Sequence, residues 1–169
     1  MIAGKWCILA VLAAALFCAG CAVSPEAEDR RRAVEADIEA ILSEPLNAER
    51  FGTTRRCLAA HDYRGFRAID DRRVLFEGRC GELWLNTLRV RCLDLRDATV
   101  LRVKSVSMIG RICETDSFEP GDWFTWPWYR RWPWYWGASW STGMTCSLGK
   151  FQPVTPDQVH AIEAAIRSK

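Results

Sequence analysis

The stretch Trp123-Phe124-Thr125-Trp126-Pro127-Trp128-Tyr129-Arg130-Arg131-Trp132-Pro133-Trp134-Tyr135-Trp136, with Trp140 just beyond, restricts the fold of this chain more than any other segment. Pro127 and Pro133 remove backbone donors and forbid both a regular helix and central-strand pairing. An irregular loop or a bent edge hairpin is what remains. Its ten rings, at about 150–250 Å² each, carry some ~2,000 Å² of mostly apolar surface. Monomeric soluble proteins rarely expose a patch beyond about 300–600 Å². At about 25 cal/mol per Å², full hydration forfeits tens of kcal/mol as an upper bound. Most of these rings therefore need a cover, and three are available. The protein's own sheet is one. A bilayer interface is the second, since Trp and Tyr favour the headgroup zone and Arg130 and Arg131 can meet anionic lipid. A glycan or peptide partner is the third, since flat rings stack on sugar faces and on proline-rich ligands. The contact residues are Trp123, Trp126, Trp128, Tyr129, Arg130, Arg131, Trp132, Trp134, Tyr135, Trp136 and Trp140.

The other end of the chain restricts location. Lys5 is followed by an apolar run, Trp6 to Phe17, and then by Cys18-Ala19-Gly20-Cys21. This is the layout of a secretory signal, and it is too short to span a bilayer. Cys18-Ala19-Gly20-Cys21 resembles the lipobox of bacterial lipoproteins, although Cys18 stands where Leu is usual. The resemblance implies that residues 1–20 are removed and that the Cys21 thiol carries a diacyl group. Ala22, rather than an aspartate, after the lipidated cysteine implies the outer membrane, on its periplasmic face. An ordinary cleaved secretory signal is the alternative.

Removal of that signal leaves about 149 residues, enough for a single domain with its own core. The net charge of +2, with no separate basic block, argues against a nucleic-acid partner. Beyond Cys21 the cysteines are Cys57, Cys80, Cys92, Cys113 and Cys146. Outside the cytoplasm, spaced cysteines read as disulfides. None has C-x-x-C spacing and only His61 and His160 are present, so neither a metal site nor a cofactor is expected. Two bridges among five cysteines can be drawn in fifteen ways.

Along the chain, Ser24-Pro25-Glu26 opens a helix over 25–45, after a short tether at 21–24. Ser24 is its cap, Pro25 its first residue, and the acids lie near the positive end of the dipole. Val34, Ile38, Ile41 and Leu42 form its buried stripe, and Asp29, Arg30, Arg31, Glu35 and Glu39 its solvated face. From Arg64 the period changes to that of strands: 65–69, 74–77, 83–88, 99–103, 106–112 and 146–151. Thr155-Pro156-Asp157-Gln158 begins a last helix with a capping box, and Val159, Ile162 and Ile166 mark its core face. The expectation is an α+β domain over 46–169, an antiparallel sheet of five to six strands flanked by an N-terminal and a C-terminal helix, with the aromatic insert at 118–142.

The string Ile69-Asp70-Asp71-Arg72-Arg73-Val74-Leu75-Phe76-Glu77-Gly78, followed by Glu82 to Arg89 and Arg91-Cys92, resembles a family of small proteobacterial lipoproteins catalogued only as a domain of unknown function. Cys146 to Phe151 and the Thr155 helix start fit it as well. The resemblance spans roughly 55–115 and 144–167 and skips the aromatic stretch. It implies the bridges Cys57–Cys92 and Cys113–Cys146, with Cys80 a free thiol, inert or joining two chains as a dimer. Each such loop of about 35 residues is worth about 3–4 kcal/mol.

Catalytic candidates are few. Asp70 and Asp71 are explained by a turn, His61 stands beside Asp62, and His160 is on the last helix. Asp94, Asp97, Glu114 and Asp116 have no recognisable spacing, and Ser105, Ser107 and Ser139 lack a nucleophile-elbow context. Cys80, beside Arg79, is the one reactive thiol. The expectation is a non-enzymatic, lipid-anchored binding or accessory protein using its aromatic insert as contact surface, toward membrane, glycan or an envelope protein. The alternative is an inhibitor or modulator of an envelope hydrolase.

Overall fold

A computed structural model describes residues 24–104, 110–121 and 144–168. The expected signal, Cys21, and the contact residues from Trp123 to Trp140 lie outside the described residues, as do Ser105, Ser107 and Ser139.

The first helix, α1 (Pro25–Ser43), starts where the sequence places it: Ser24 Oγ accepts from the Ala27 N–H at 3.2 Å. It ends two residues earlier than expected. Pro45 disfavours a helical conformation at the residue before it, and Glu44 is accordingly extended (φ −61°, ψ 125°). A one-turn helix, α2 (Ala48–Phe51), follows, capped by Asn47. Among the described residues nine strands come next: β1 (Cys57–Ala59), β2 (Tyr63–Ala68), β3 (Arg73–Gly78), β4 (Leu83–Thr87), β5 (Val100–Lys104), β6 (Arg111–Cys113), β7 (Ser117–Gly121), β8 (Cys146–Ser147) and β9 (Phe151–Pro153). A 3-10 turn at Leu93–Leu95 separates β4 from β5. The final helix, α3 (Pro156–Arg167), has both halves of the Thr155–Gln158 capping box, at 3.1 Å each.

The class is α+β and antiparallel as expected, but the strands do not form one sheet. They divide into β2-β3-β4-β9, β5-β7-β8 and the pair β1-β6. The stretch 146–151, read as one strand, is two strands in different sheets. Gly149 lies between them, and a Cβ there would sit 2.1 Å from the Thr87 carbonyl oxygen. The buried Asn86 amide donates to Gly149 O at 2.7 Å and accepts from Gly149 N at 2.9 Å, so a side chain replaces the ladder at the crossing. The insert also begins later than 118. β7 continues to Gly121, and Phe118 is wholly buried.

The disulfides join the same four cysteines, with partners exchanged: Cys57–Cys113 and Cys92–Cys146, closing separations of 56 and 54 residues. Strand register decides this. Cys57 and Cys113 face each other across the β1-β6 pair. The Arg89 N–H donates to Ser147 O at 3.2 Å, bringing Cys92 alongside β8. Cys80 is unpaired and exposed in the β3–β4 turn.

Two cores follow from the alternation of β3 and β4. Leu75 and Leu85 face α1 and α3, where they meet Ile38, Val154, Val159 and Ile162. Val74, Phe76 and Trp84 face the other way, toward Leu58, Ile112, Phe118, Phe151 and the Cys92–Cys146 region.

Candidate functional site

A cleft of about 420 Å³ opens between the first half of α1, the β2–β3 turn and the segment after β4. The turn forms because Asp70 Oδ1 accepts from the Arg72 N–H at 2.7 Å, while the Ile69 N–H reaches Arg73 O at 2.9 Å. That geometry sends Arg73 inward, where it is 3% exposed. Its Nη1 donates to Asp70 Oδ2 at 2.6 Å, and its Nη2 donates to Glu35 Oε2 on α1. Arg72 Nη1 lies 3.8 Å from the other Glu35 oxygen. Glu35, read from periodicity as part of a solvated face, therefore forms an ionic link between α1 and the sheet.

The third wall hangs on the same turn. The Leu88 and Cys92 N–H groups donate to Arg72 O and Asp71 O, at 2.8 and 2.7 Å, and Arg91 Nη1 lies 3.6 Å from Asp71 Oδ2. Arg91 and Arg96 thus line the cleft opposite Arg30 and Arg31. The lining holds five guanidiniums, with Arg73, against three carboxylates: Glu35, Asp70 and Asp71. Arg30 and Arg31 use Nε only toward the carbonyls of Glu26 and Ala27, at 3.4 and 3.3 Å. Among the described residues, no carboxylate forms an ion pair with Arg30, Arg31 or Arg96. The Nε atoms of Arg72 and Arg73 are buried without an acceptor among the described residues. Leaving one buried donor unmet costs about 1–3 kcal/mol. The arrangement is a basic recess with an apolar flank of Ala27, Val34 and Ile166, suited to attract an anion.

The expected catalytic candidates are not assembled into a reactive group among the described residues. Asp70 and Asp71 hold the turn and Arg91. His61 is 84% exposed, with Nε2 3.5 Å from Asp62, whose other oxygen accepts from the Ala59 N–H at 3.1 Å. His160 is exposed on α3, and Asp94 and Asp97 are exposed. Buried Glu114 pairs with Arg56 at 2.5 Å, and buried Asp116 accepts from the Cys113 N–H at 2.8 Å. Around Cys80, the backbone N–H donates to Glu82 Oε2 at 3.1 Å. Sequence reasoning missed the cleft because its arginines come from residues 30, 31, 73, 91 and 96, which share no spacing.

A second feature bears on contact. β7 and β8 are antiparallel neighbours, with Phe118 opposite Cys146, so the aromatic stretch departs from and returns to one disulfide-held stem. Val90, Leu93 and Met144, near that bridge in sequence, are the exposed large apolar side chains of the described residues, at 67%, 66% and 39%.

Fold and site together define a disulfide-braced α+β domain carrying a basic cleft. Residues 4–123 match a family of unknown function, DUF6491, and the chain belongs to that family. The match takes in the apolar N-terminal run and Cys21 and ends at Trp123. The resemblance read in Cys146 to Phe151 and in the Thr155 helix start falls beyond it. No curated protein and no solved structure matches the chain.

Proposed function

We propose that this protein is a lipid-anchored, non-catalytic binding protein of the bacterial envelope, held at the periplasmic face of the outer membrane through Cys21. The observation that carries the reading is the junction at residues 18–25. A lipobox-like Cys18-Ala19-Gly20-Cys21 is followed after only Ala22 and Val23 by the capped start of α1 at Ser24. A domain attached by so short a tether is held against the bilayer surface, with the start of α1 nearest it. Two further facts support the reading. The family match begins at residue 4 and so includes the leader-like run. Four cysteines are bridged, as suits an oxidising compartment. The aromatic stretch, whose two ends are the paired strands β7 and β8, serves as the contact surface, with exposed Val90, Leu93 and Met144 as further apolar side chains.

Mass spectrometry of protein isolated from bacterial membranes tests the anchor. Acylated Cys21 at the N-terminus is expected. An intact Met1, or a free thiol at Cys21, overturns it. Deleting residues 122–143 tests the contact surface, because β7, β8 and both bridges stay in place. Retained folding with altered envelope association is expected, and unchanged association sinks that part. Trp emission with anionic vesicles then reads the cover directly: a blue shift with shielding from aqueous quenchers assigns it to the bilayer.

A further inference from the structure

We propose that the arginine cleft binds a phosphate group, presented either on a small soluble ester or on an anionic lipid headgroup. Its lining carries two more guanidiniums than carboxylates, the charge of a phosphate dianion with opposite sign. Each of the three carboxylates already faces an arginine: Glu35 and Asp70 face Arg73, and Asp71 faces Arg91. The surplus therefore resides on Arg30, Arg31 and Arg96, which lack a carboxylate partner among the described residues.

Exposed arginines are ordinarily scattered and solvated. Here they converge from α1 and from the segment after β4 on one recess, over the 97%-buried side chain of Arg73. The charge of Arg73 is offset on the floor by Glu35 and Asp70, while its Nε is a buried donor with no acceptor among the described residues. A guanidinium fork matches phosphate oxygens two at a time, which favours this anion over chloride. The carboxylates on the floor keep the anion toward the mouth, within reach of Arg30, Arg31 and Arg96. The volume of about 420 Å³ exceeds what one phosphate needs, and it falls in the range of small-ligand sites. The apolar flank of Ala27, Val34 and Ile166 leaves room for the organic portion of an ester.

The test uses the full-length protein in neutral detergent, titrated calorimetrically with inorganic phosphate and with glycerol phosphate at constant ionic strength. A parallel arm measures flotation with vesicles of phosphatidylglycerol and of phosphatidylcholine. The variants are Arg96→Gln and the triple change Arg30→Gln, Arg31→Gln, Arg96→Gln, all at exposed positions, with folding checked by disulfide mapping. Saturable binding that weakens about tenfold or more in the triple variant is expected, since hydrogen bonds to charged groups are being removed. Binding of glycerol phosphate in solution assigns a free ester. Retention on phosphatidylglycerol alone, with the same arginine dependence, assigns a headgroup. The proposal is overturned if neither soluble probe saturates and phosphatidylglycerol vesicles retain the protein no better than phosphatidylcholine, if the triple variant binds as well as the parent, or if equimolar chloride competes equally. Calorimetric binding does not depend on acylation at Cys21. In the flotation arm only the excess of phosphatidylglycerol over phosphatidylcholine that the triple variant loses is read, because acyl chains enter either bilayer. Failure here and failure of the anchor are therefore separately visible.

Discussion

The two faces of the four-stranded sheet are closed by different means. On one, Leu75 and Leu85 are covered by α1 and α3, with no covalent link. Polar side chains complete that seal: the Gln158 and Gln152 amides donate to the carbonyls of Ile41 and Leu42, each at 3.0 Å. On the other face, Val74, Phe76 and Trp84 are covered by strands of two to five residues, and the Cys92–Cys146 bridge lies within the cluster. Edge-to-face ring contacts, Tyr63–Phe76 at 5.5 Å and Phe76–Phe151 at 5.4 Å, fill it. A helix satisfies its own backbone hydrogen bonds and needs only an apolar stripe to dock. A strand as short as β8 has no such independence and relies on its neighbours and a cross-link. Covalent bracing accordingly sits on the face built from short strands.

Reduction is the strongest way to break this contrast. Loops of 56 and 54 residues are worth about 4 kcal/mol each on the chain-entropy account, within a typical net stability of about 5–15 kcal/mol. Urea unfolding with and without reductant is expected to show a loss of that order. Non-reducing peptide mapping is expected to recover Cys57–Cys113 and Cys92–Cys146, and a bridge containing Cys80 contradicts the fold. Next come truncations in the two cores. Phe118→Ala on the strand face is expected to cost about 3–5 kcal/mol, and Ile162→Ala on the helical face about 2–5 kcal/mol. Denaturation of each variant with the bridges intact compares the faces directly. A cost below about 1 kcal/mol at either position denies that face its core.

Gly149→Ala probes the crossing between sheets. Its Cβ would meet the Thr87 backbone at 2.1 Å, and a loss of about 1–3 kcal/mol or more is expected in thermal melts. The smallest effect is a pH dependence on the helical side. A hydrogen bond from Arg67 holds the Glu163 carboxyl below its usual value of 4.5, outweighing burial, with the charges of Arg67, Arg167 and His160 adding to it. A lowered folded pKa means the contribution is complete above about 4.5 and fades as pH falls through the folded value. Arg67→Met is expected to flatten the stability–pH curve in that acid range while leaving its shape near neutrality unchanged. An unaltered acid limb removes the pair from the account.

The helical face was open to sequence reading because its determinants are local. Ser24, Pro25 and the Thr155–Gln158 box name their own helix starts, and Ile38, Val159 and Ile162 announce their burial by spacing. The strand face was not. β1 and β8 are three and two residues long, too short to carry a period, and β7 contains Pro120, which argues against a central strand. Pro120 is accommodated because β8 pairs only with Ser117 and Phe118, leaving that edge of β7 unpaired at Pro120 among the described residues. The resemblance drew the bridges between sequence neighbours, whereas cross-strand opposition chose Cys113 for Cys57. The cleft was hidden for a related reason, since Arg30, Arg73 and Arg96 acquire a common meaning only when three segments meet.

From the residues alone came the α+β class and the two capped helices, because capping and amphipathic spacing are properties of short stretches; the choice of the four bridging cysteines, with Cys80 left over, came from the family resemblance. The folded chain alone settled the division into three sheets, the partner of each cysteine and the convergence of arginines over Arg73. These depend on contacts between residues 38 to 63 positions apart, which no local pattern encodes.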